Sequence, residues 1–398
     1  MENNLIEYSA QKLWDVISDR INNTPQKCIT FADYMDLALY HPQLGYYGNN
    51  AVNMGSDGDF FTSPHLGNDF GELLAEQFVE MWQILGKPKP FTLVEMGAGQ
   101  GWLARDILRY LEKEYYDFFV NLEYIIVEKS LALINKQKQT INIDSDRLRW
   151  CDWDDIPLNS IIGCFFSNEL VDAFPVHQII LKDGKLQEIY VTINPENNQK
   201  LQEIIGELST PRLEKYLEFI GINLSSGVYT ENYRSEVNLA ALNWLDMVAS
   251  RLKRGYLLTI DYGYTAERYY HPSRQGNLQC YYRHQHHNDP YIYLGEQDIT
   301  THVNFTALER QGELRGLEKL GFIQQGLFLM ALGLGDRLAS LSSTNIDLQN
   351  LLKRRDALHQ LIEPMGLGGF GVLIQSKGLR ETEKIQGLKS LKIPDYHY

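Results

Sequence analysis

The spacing of hydrophobic residues changes period along the chain, and each change marks a different kind of element. Leu5, Leu13, Val16, Ile17 and Ile21 recur at helical spacing, and Phe31 to Tyr40 predicts a second helix. From His41 to Pro64 the periodicity stops in a run rich in Gly, Asn, Asp, Tyr and Pro. A loop of that length is functional or disordered, and Tyr46, Tyr47, Phe60 and Phe61 argue for order. Asn68 to Leu85 then reads as an amphipathic helix closed by Gly86-Lys87-Pro88.

From Phe91 short apolar runs alternate with helical ones. Phe91–Met96, Leu122–Val127, Leu148–Trp150, Ile161–Phe166 and Tyr256–Ile260 are predicted strands. Trp102–Leu111 and Ser130–Gln139 are predicted helices, the latter with Ser130 as N-cap. Val176–Leu181 and Leu186–Ile193 flank Asp183-Gly184, a hairpin signal. Helices are also expected over Pro211–Phe219, Glu236–Leu252, Thr306–Leu320 and Leu348–Ile362. Phe322–Leu332 reads mostly as strand, and Phe370–Gln375 as a last strand. The alternation predicts an α/β fold, a Rossmann-like parallel sheet with helices on both faces. The expected organisation is an N-terminal helical cap with a lid loop over 1–89 and a sheet domain over 90–398. Insertions are placed after strand four (about 176–235) and after strand five (264–304).

In such sheets ligands bind beyond the carboxyl ends of the strands. That places Gly97–Gly101, Glu128, Cys151–Trp153, Ser167–Glu169 and Asp261–Gly263 around one crevice. Glu95-Met96-Gly97-Ala98-Gly99-Gln100-Gly101 is the sharpest signal. Its glycines permit a tight turn from strand to helix and close approach of a ligand. A dinucleotide turn needs a third glycine at position 102, which is Trp102, and no G-K-[ST] follows for a P-loop. The pattern is the G-x-G-x-G of Rossmann-like S-adenosylmethionine enzymes, with Glu95 as a carboxylate for the cationic cofactor. Glu128 ends the next strand, where an acid accepts from ribose hydroxyls; NAD would use the same residue. Asp152 and Trp153 are candidates for the adenine amine and for stacking on its ring.

Composition narrows the function. The chain has 37 Lys+Arg and 51 Asp+Glu, so its formal charge is 37 − 51 = −14. That balance argues against a general nucleic-acid binder and permits a basic partner. Cys28, Cys151, Cys164 and Cys280 form no C-x-x-C pair, which fits a reducing compartment. No apolar run is long enough to span a bilayer, so no stable membrane insertion is expected. The N-terminal residues lack a basic and apolar leader pattern and are poor in Arg, and the expected location is cytoplasmic.

Ser167-Asn168-Glu169-Leu170-Val171-Asp172-Ala173-Phe174-Pro175 follows the fourth strand, where a transferred methyl group would face its acceptor. Amide and carboxylate groups there align a nitrogen nucleophile, and carboxylates pair a guanidinium in bidentate fashion. Asn168, Glu169 and Asp172 are the candidates for substrate positioning, with Asp261 and Tyr262 behind them. Capping of the next helix by Asn168 and Glu169 is the alternative reading.

The blocks GYYG (45–48), GDFFTSP (58–64), FGELLAEQ (70–77), VEMGAGQGWLARDIL (94–108), SNELVDAFPV (167–176), IDYG (260–263) and HNDPYIYLGEQDITTHVNF (287–305) resemble the MidA-type methyltransferases. These are related to the mitochondrial complex I assembly methyltransferase. The resemblance implies a class I methyltransferase sheet and S-adenosyl-L-methionine as cofactor. It also implies a protein substrate, with symmetric dimethylation of an arginine on an NADH dehydrogenase subunit of the 49-kDa type. After Thr62-Ser63-Pro64, where relatives often carry Glu, stands His65. Asp59, Thr62, Ser63 and Pro64 are expected to help hold the cofactor as part of a closing lid.

His284, His286, His287 and His302 match no metal-ligand spacing, and methyl transfer from a sulfonium needs no metal. No metal is expected. Two rival functions stay open: an assembly chaperone that keeps the cofactor site, and a small-molecule methyltransferase.

Overall fold

The computed structural model describes residues 2–49, 63–143, 146–197, 199–283, 285–341 and 347–392. The chain folds into two units, each drawn from three stretches. One is Phe61–Leu170, Leu245–Tyr262 and Gln311–Tyr398; the other is Met1–Phe60, Val171–Trp244 and Gly263–Arg310.

The first unit is built on seven strands: β1 (Phe91–Met96), β2 (Leu122–Val127), β3 (Leu148–Cys151), β4 (Ile161–Asn168), β5 (Leu252–Asp261), β6 (Glu318–Gln324) and β7 (Gly371–Lys377). Their order across the sheet is β6-β7-β5-β4-β1-β2-β3. β1 to β5 run parallel, and β7 lies antiparallel between β5 and β6. The chain moves outward from β1 to β3, then returns to lay β4 on the other side of β1. That reversal opens a crevice at the carboxyl ends of β1 and β4. All six residues of β1 are buried, as expected of a strand covered on both faces. Helices α1 (Asp69–Ile84) and α2 (Trp102–Glu114) bring Leu74, Phe78, Leu103 and Ile107 onto Leu93, Tyr124, Phe166 and Ile260. The α/β Rossmann-like sheet expected from the alternation is present, mixed rather than wholly parallel because β7 runs antiparallel to β5 and β6.

The second unit is largely antiparallel. Strand Lys185–Ile193 pairs with His177–Lys182, Leu201–Gly206 and the short Ile29–Thr30. The Asp183-Gly184 turn has positive φ at both residues (52° and 68°), the geometry of the predicted hairpin. A three-stranded sheet (Leu278–Tyr282, Gln285–His287, Asp298–Thr301) comes from the second insertion. Leu13, Ile17, Phe31 and Met35 of the N-terminal helices share a core with Val176, Val191, Cys280 and Ile299.

Three expectations differ from what is seen. A cut at 89/90 separates α1 from the sheet, whereas α1 packs into the sheet core and both insertions join the N-terminal segment. The helix begun at Phe305 ends at Leu314 rather than Leu320, where Leu317 N–H donates to the Gly312 carbonyl and Gly316 turns at φ +78°. The run 322–332 is strand only to Gln324; helix Gln325–Ala331 then buries Gln325, Gly326, Phe328 and Leu329, a helical spacing hidden in a short apolar run. Within the long loop, Tyr46–Asn49 is one helical turn and Ser63–Leu66 a 3-10 turn; Asp59, Phe60, Phe61 and Thr62 lie outside the described residues. Among the described residues no helix is long and apolar enough to cross a membrane.

Candidate functional site

The crevice is built at the ends of β1, β2, β3, β4 and β5. β1 leaves the sheet through Gly97, Gly99 and Gly101, all at positive φ (75°, 52° and 83°). Each glycine has its own reason. A Cβ on Gly97 would sit 2.8 Å from Leu170 Cδ1, so the turn is pressed against the segment after β4. A Cβ on Gly101, the N-cap of α2, would meet Gln137 and Ile141 of helix α3 (Leu131–Ile141) at 3.2 Å. A Cβ on Gly99 would meet nothing within 4 Å. Gly99 therefore faces open space, where a ligand can lie on the backbone.

Glu128 stands at the end of β2. Its Oε1 accepts from the backbone N–H groups of Lys129 and Ser130, both at 2.9 Å. Burial pushes its carboxyl up, against these bonds. Oε2 receives only a long 3.3 Å bond from Gln137 Nε2 among the described residues, which leaves it capacity for a hydroxyl donor.

Gln137 was not among the expected site residues. It is fully buried, its Nε2 donates to the Gly99 carbonyl at 2.9 Å, and its Oε1 accepts from Trp150 Nε1 at 2.8 Å. One side chain thus ties the glycine turn, the end of β2 and the third strand together. The signal in the sequence was a polar residue on the buried stripe Leu133, Gln137, Ile141.

Other expected residues have partners of their own. Glu95 is buried and accepts from Tyr124 Oη at 2.6 Å. Burial raises its carboxyl to about 7, against the lowering effect of that bond. Asp152 caps the turn Trp153–Asp155, accepting from Trp153 N–H at 2.6 Å, while its own N–H donates to Asp155 at 3.0 Å. The Trp153 indole stacks on Phe165 with rings 6.2 Å apart and lies 5.4 Å from the Arg251 guanidinium. Ser63 is buried, 3.4 Å from Gln325 Nε2, with Pro64 in the same turn.

At the end of β4, Asn168 Nδ2 donates to Glu169 Oε1 at 3.1 Å. Asn168 Oδ1 and Ser167 Oγ are buried without a hydrogen-bond partner among the described residues, a cost that a donor on a bound ligand removes. Glu169 adopts φ +51°, rare for a non-glycine residue and typical of functional sites. Its N–H donates to the Ile260 carbonyl at 2.9 Å, which sets it beside Asp261 and Tyr262 at the end of β5. Asp261 is buried and accepts from Tyr262 N–H at 2.9 Å; the Tyr262 ring packs on Phe370. Asn168 and Glu169 precede a 3-10 turn, Val171–Ala173, rather than an α-helix. Asp172 belongs to the second unit, where it is buried.

The residues present fit S-adenosylmethionine. An open turn receives it without Cβ atoms, Glu128 Oε2 suits the ribose hydroxyls, and Ser167 Oγ offers an acceptor for the amino group. Among the described residues no group of three or more His, Cys, Asp or Glu is placed to hold a metal; His284 lies outside them.

A family model described as "Putative S-adenosyl-L-methionine-dependent methyltransferase" matches residues 73–323. A Burkholderia thailandensis protein with a crystal structure bound to S-adenosyl-homocysteine superposes with a TM-score of 0.84 at 30% identity, over 97% of this chain and 95% of that one. Curated relatives include the mitochondrial protein arginine methyltransferase NDUFAF7 homolog of Drosophila melanogaster, 29% identical over 85% of this chain and 79% of its own. Danio rerio NDUFAF7 is 28% identical over 92% of this chain and 87% of its own. These relatives are named mitochondrial, which corrects the cytoplasmic expectation. That expectation leaned on unpaired cysteines and a leader-poor terminus, and unpaired cysteines fit any reducing compartment.

Proposed function

The chain belongs to the family of S-adenosyl-L-methionine-dependent methyltransferases, and we propose that its acceptor is an arginine side chain of a protein. The observation that carries this reading is the Asn168–Glu169 pair, held at the carboxyl end of β4 beside Asp261. A guanidinium is planar and presents N–H donors, so it matches carboxylate oxygens and an amide oxygen at that edge. The arginine methyltransferase names of the curated relatives support the same choice.

The cofactor, when bound, supplies a sulfonium methyl carbon as the electrophile. The chain's own residues do the rest. Gly97, Gly99 and Gly101 give the backbone its bend, and Gln137 holds that bend to Glu128. Glu128 takes the ribose hydroxyls. Asn168 and Glu169 aim one guanidinium nitrogen along the line of the breaking C–S bond. With the cofactor bound, that nitrogen would take the methyl group as the C–S bonding pair leaves with sulfur, and its proton would pass to the Glu169 carboxylate or to water. Alignment of this kind contributes several kcal/mol to a transfer reaction. Asp152, Trp153, Glu95, Ser63, Pro64 and, outside the described residues, Asp59 and Thr62 stay proposed cofactor contacts. Asp172 and Tyr262 stay proposed substrate contacts. The finer proposal is symmetric dimethylation of an NADH dehydrogenase subunit, as a step in complex I assembly.

The test is incubation of the full chain with methyl-labelled S-adenosylmethionine and NADH dehydrogenase subunits from its host, then hydrolysis and identification of the labelled amino acid. Labelled symmetric dimethylarginine that disappears in Gly99→Val supports the reading. Cofactor binding without label in any arginine sinks it and favours a chaperone that retains the cofactor site.

A further inference from the structure

Among the described residues of the second unit, two arginines on one tyrosine ring have no ion-pair partner. Tyr264, on a two-residue strand paired with Val303–Asn304, has the guanidinium carbons of Arg268 and Arg274 each 4.2 Å from its ring centroid. The two guanidiniums are therefore at most 4.2 + 4.2 = 8.4 Å apart. The His302 imidazole stacks on the same ring at 4.7 Å and 16°. Among the described residues neither guanidinium has a carboxylate within ion-pair distance; Arg274 makes only a 3.4 Å bond to Asn277 Oδ1. In a chain of 51 acidic and 37 basic residues, two adjacent cations without a counter-charge are unusual. The tyrosine ring attracts each of them, yet like charges at this distance repel, and a bound anion offsets that repulsion.

Arg274 and His302 also line a cavity of about 410 Å³. The two acids in its wall are already engaged. Glu203 accepts from Arg234 Nη2 at 2.8 Å and Tyr291 Oη at 3.0 Å; Glu236 accepts from Asn277 N–H at 2.9 Å and Nδ2 at 3.2 Å. The donors are elsewhere. Ser235 Oγ, on the cavity wall, is 1% exposed and has the Tyr233 hydroxyl as its neighbour. Burial, reinforced by Arg274 and Arg268, lowers His302 to about 4, so the imidazole is neutral at pH 7 and the positive charge there belongs to the guanidiniums.

We propose that the cavity beside Arg268, Arg274 and Ser235 is a carboxylate-binding site that receives an acidic side chain of the protein substrate. Guanidiniums bind carboxylates in paired, charge-assisted bonds, and a hydroxyl adds a donor. This rests on the reading that the acceptor is a protein arginine. It adds a preference for protein substrates that carry Asp or Glu.

The experiment uses the full chain, wild type and Arg268→Gln/Arg274→Gln. The probes are two labelled peptides with one arginine each, one carrying three glutamates and the other three glutamines. Binding is read by anisotropy, S-adenosylhomocysteine affinity by calorimetry, and folding by thermal melting. The wild type is expected to bind the glutamate peptide about ten-fold more tightly than the glutamine peptide, and the double variant to lose that preference with cofactor affinity unchanged. Should the double variant fail to fold, Arg268→Gln alone, at an exposed position, is expected to lose about three-fold. Equal binding of the two peptides by the wild type overturns the proposal, as does a variant that keeps the preference. Inorganic phosphate bound through the two arginines without peptide preference also overturns it, in favour of a small-anion site. Methylation of both peptides at equal rates refutes only this inference. The arginine reading is decided separately, by the labelled amino acid in the subunit assay, while the binding data decide the anion site.

Discussion

Replacing Gln137 with Leu is expected to loosen the glycine turn while the core stays filled, because the two side chains are similar in volume. Three contacts go: the donor to Gly99 O at 2.9 Å, the longer donor to Glu128 Oε2 at 3.3 Å, and the acceptor for Trp150 Nε1 at 2.8 Å. A net hydrogen bond is worth about 1 kcal/mol, and a buried group left unpaired costs roughly 1–3 kcal/mol. Glu128 keeps two backbone donors, and Trp150 is half-buried, so most of the penalty falls on the Gly99 carbonyl. The expected loss of folding stability is about 2–4 kcal/mol, which a typical domain survives. Binding then has to order the turn again. Fixing one residue's backbone costs roughly 1–2 kcal/mol, so affinity for S-adenosylhomocysteine should fall about ten-fold. Urea unfolding followed by tryptophan fluorescence measures the first effect and titration calorimetry the second. A variant with lower stability but affinity within about two-fold of wild type refutes the positioning role and leaves Gln137 a packing residue.

Further outcomes are expected at other positions. Gly99→Ala should weaken cofactor binding and cost about 1 kcal/mol of stability from its positive φ, whereas Gly101→Ala should mainly lower the melting temperature, because its Cβ meets α3. Paired melting and calorimetry on both variants check this, and identical profiles would count against separate roles for the two glycines. Glu95 has a folded pKa of about 7 against an ordinary 4.5. The protonated form is therefore favoured by folding; its stability is full below about pH 4.5 and is lost as pH rises through 7, about 3 kcal/mol in all. Denaturation of the cofactor-free protein across that window should show the slope, and Glu95→Gln should flatten it. In the sheet unit, Asp69 is buried between Arg354 and Arg337. Burial pushes its carboxyl up, but the two guanidiniums hold it below its ordinary value. Asp69→Asn should cost about 2–3 kcal/mol, at the low end for a broken buried pair because Arg337 keeps Glu72. Unchanged urea midpoints would contradict that estimate.

The sequence determined what depends on neighbours in the chain. Strand and helix periods differ, so β1, β2 and the helices around them were legible from spacing alone. The same holds for Gly97, Gly99 and Gly101, which a tight turn demands, for the Asp183-Gly184 hairpin, and for Asn168–Glu169 at a strand end. The parallel pairing of β1 to β5 follows from alternation, because parallel strands need crossover helices, whereas the antiparallel pairing of β7 does not.

Tertiary structure decided what depends on contacts between distant residues. Periodicity does not say which apolar face a helix will meet. Only packing therefore joined the N-terminal helices to the two insertions, and α1 to the sheet. Gln137 looked like any surface glutamine until α3 placed it under the glycine turn 38 residues away in the chain. Glu95 was legible as a carboxylate at a strand end, but the burial that raises its carboxyl, and the Tyr124 hydroxyl that opposes it, come only with the neighbouring strand. Trp153 was legible as an aromatic, but Phe165 and Arg251 reach its ring only in the folded sheet. Local geometry is written in local residue types, whereas the partner of a buried polar group depends on where the rest of the chain lies.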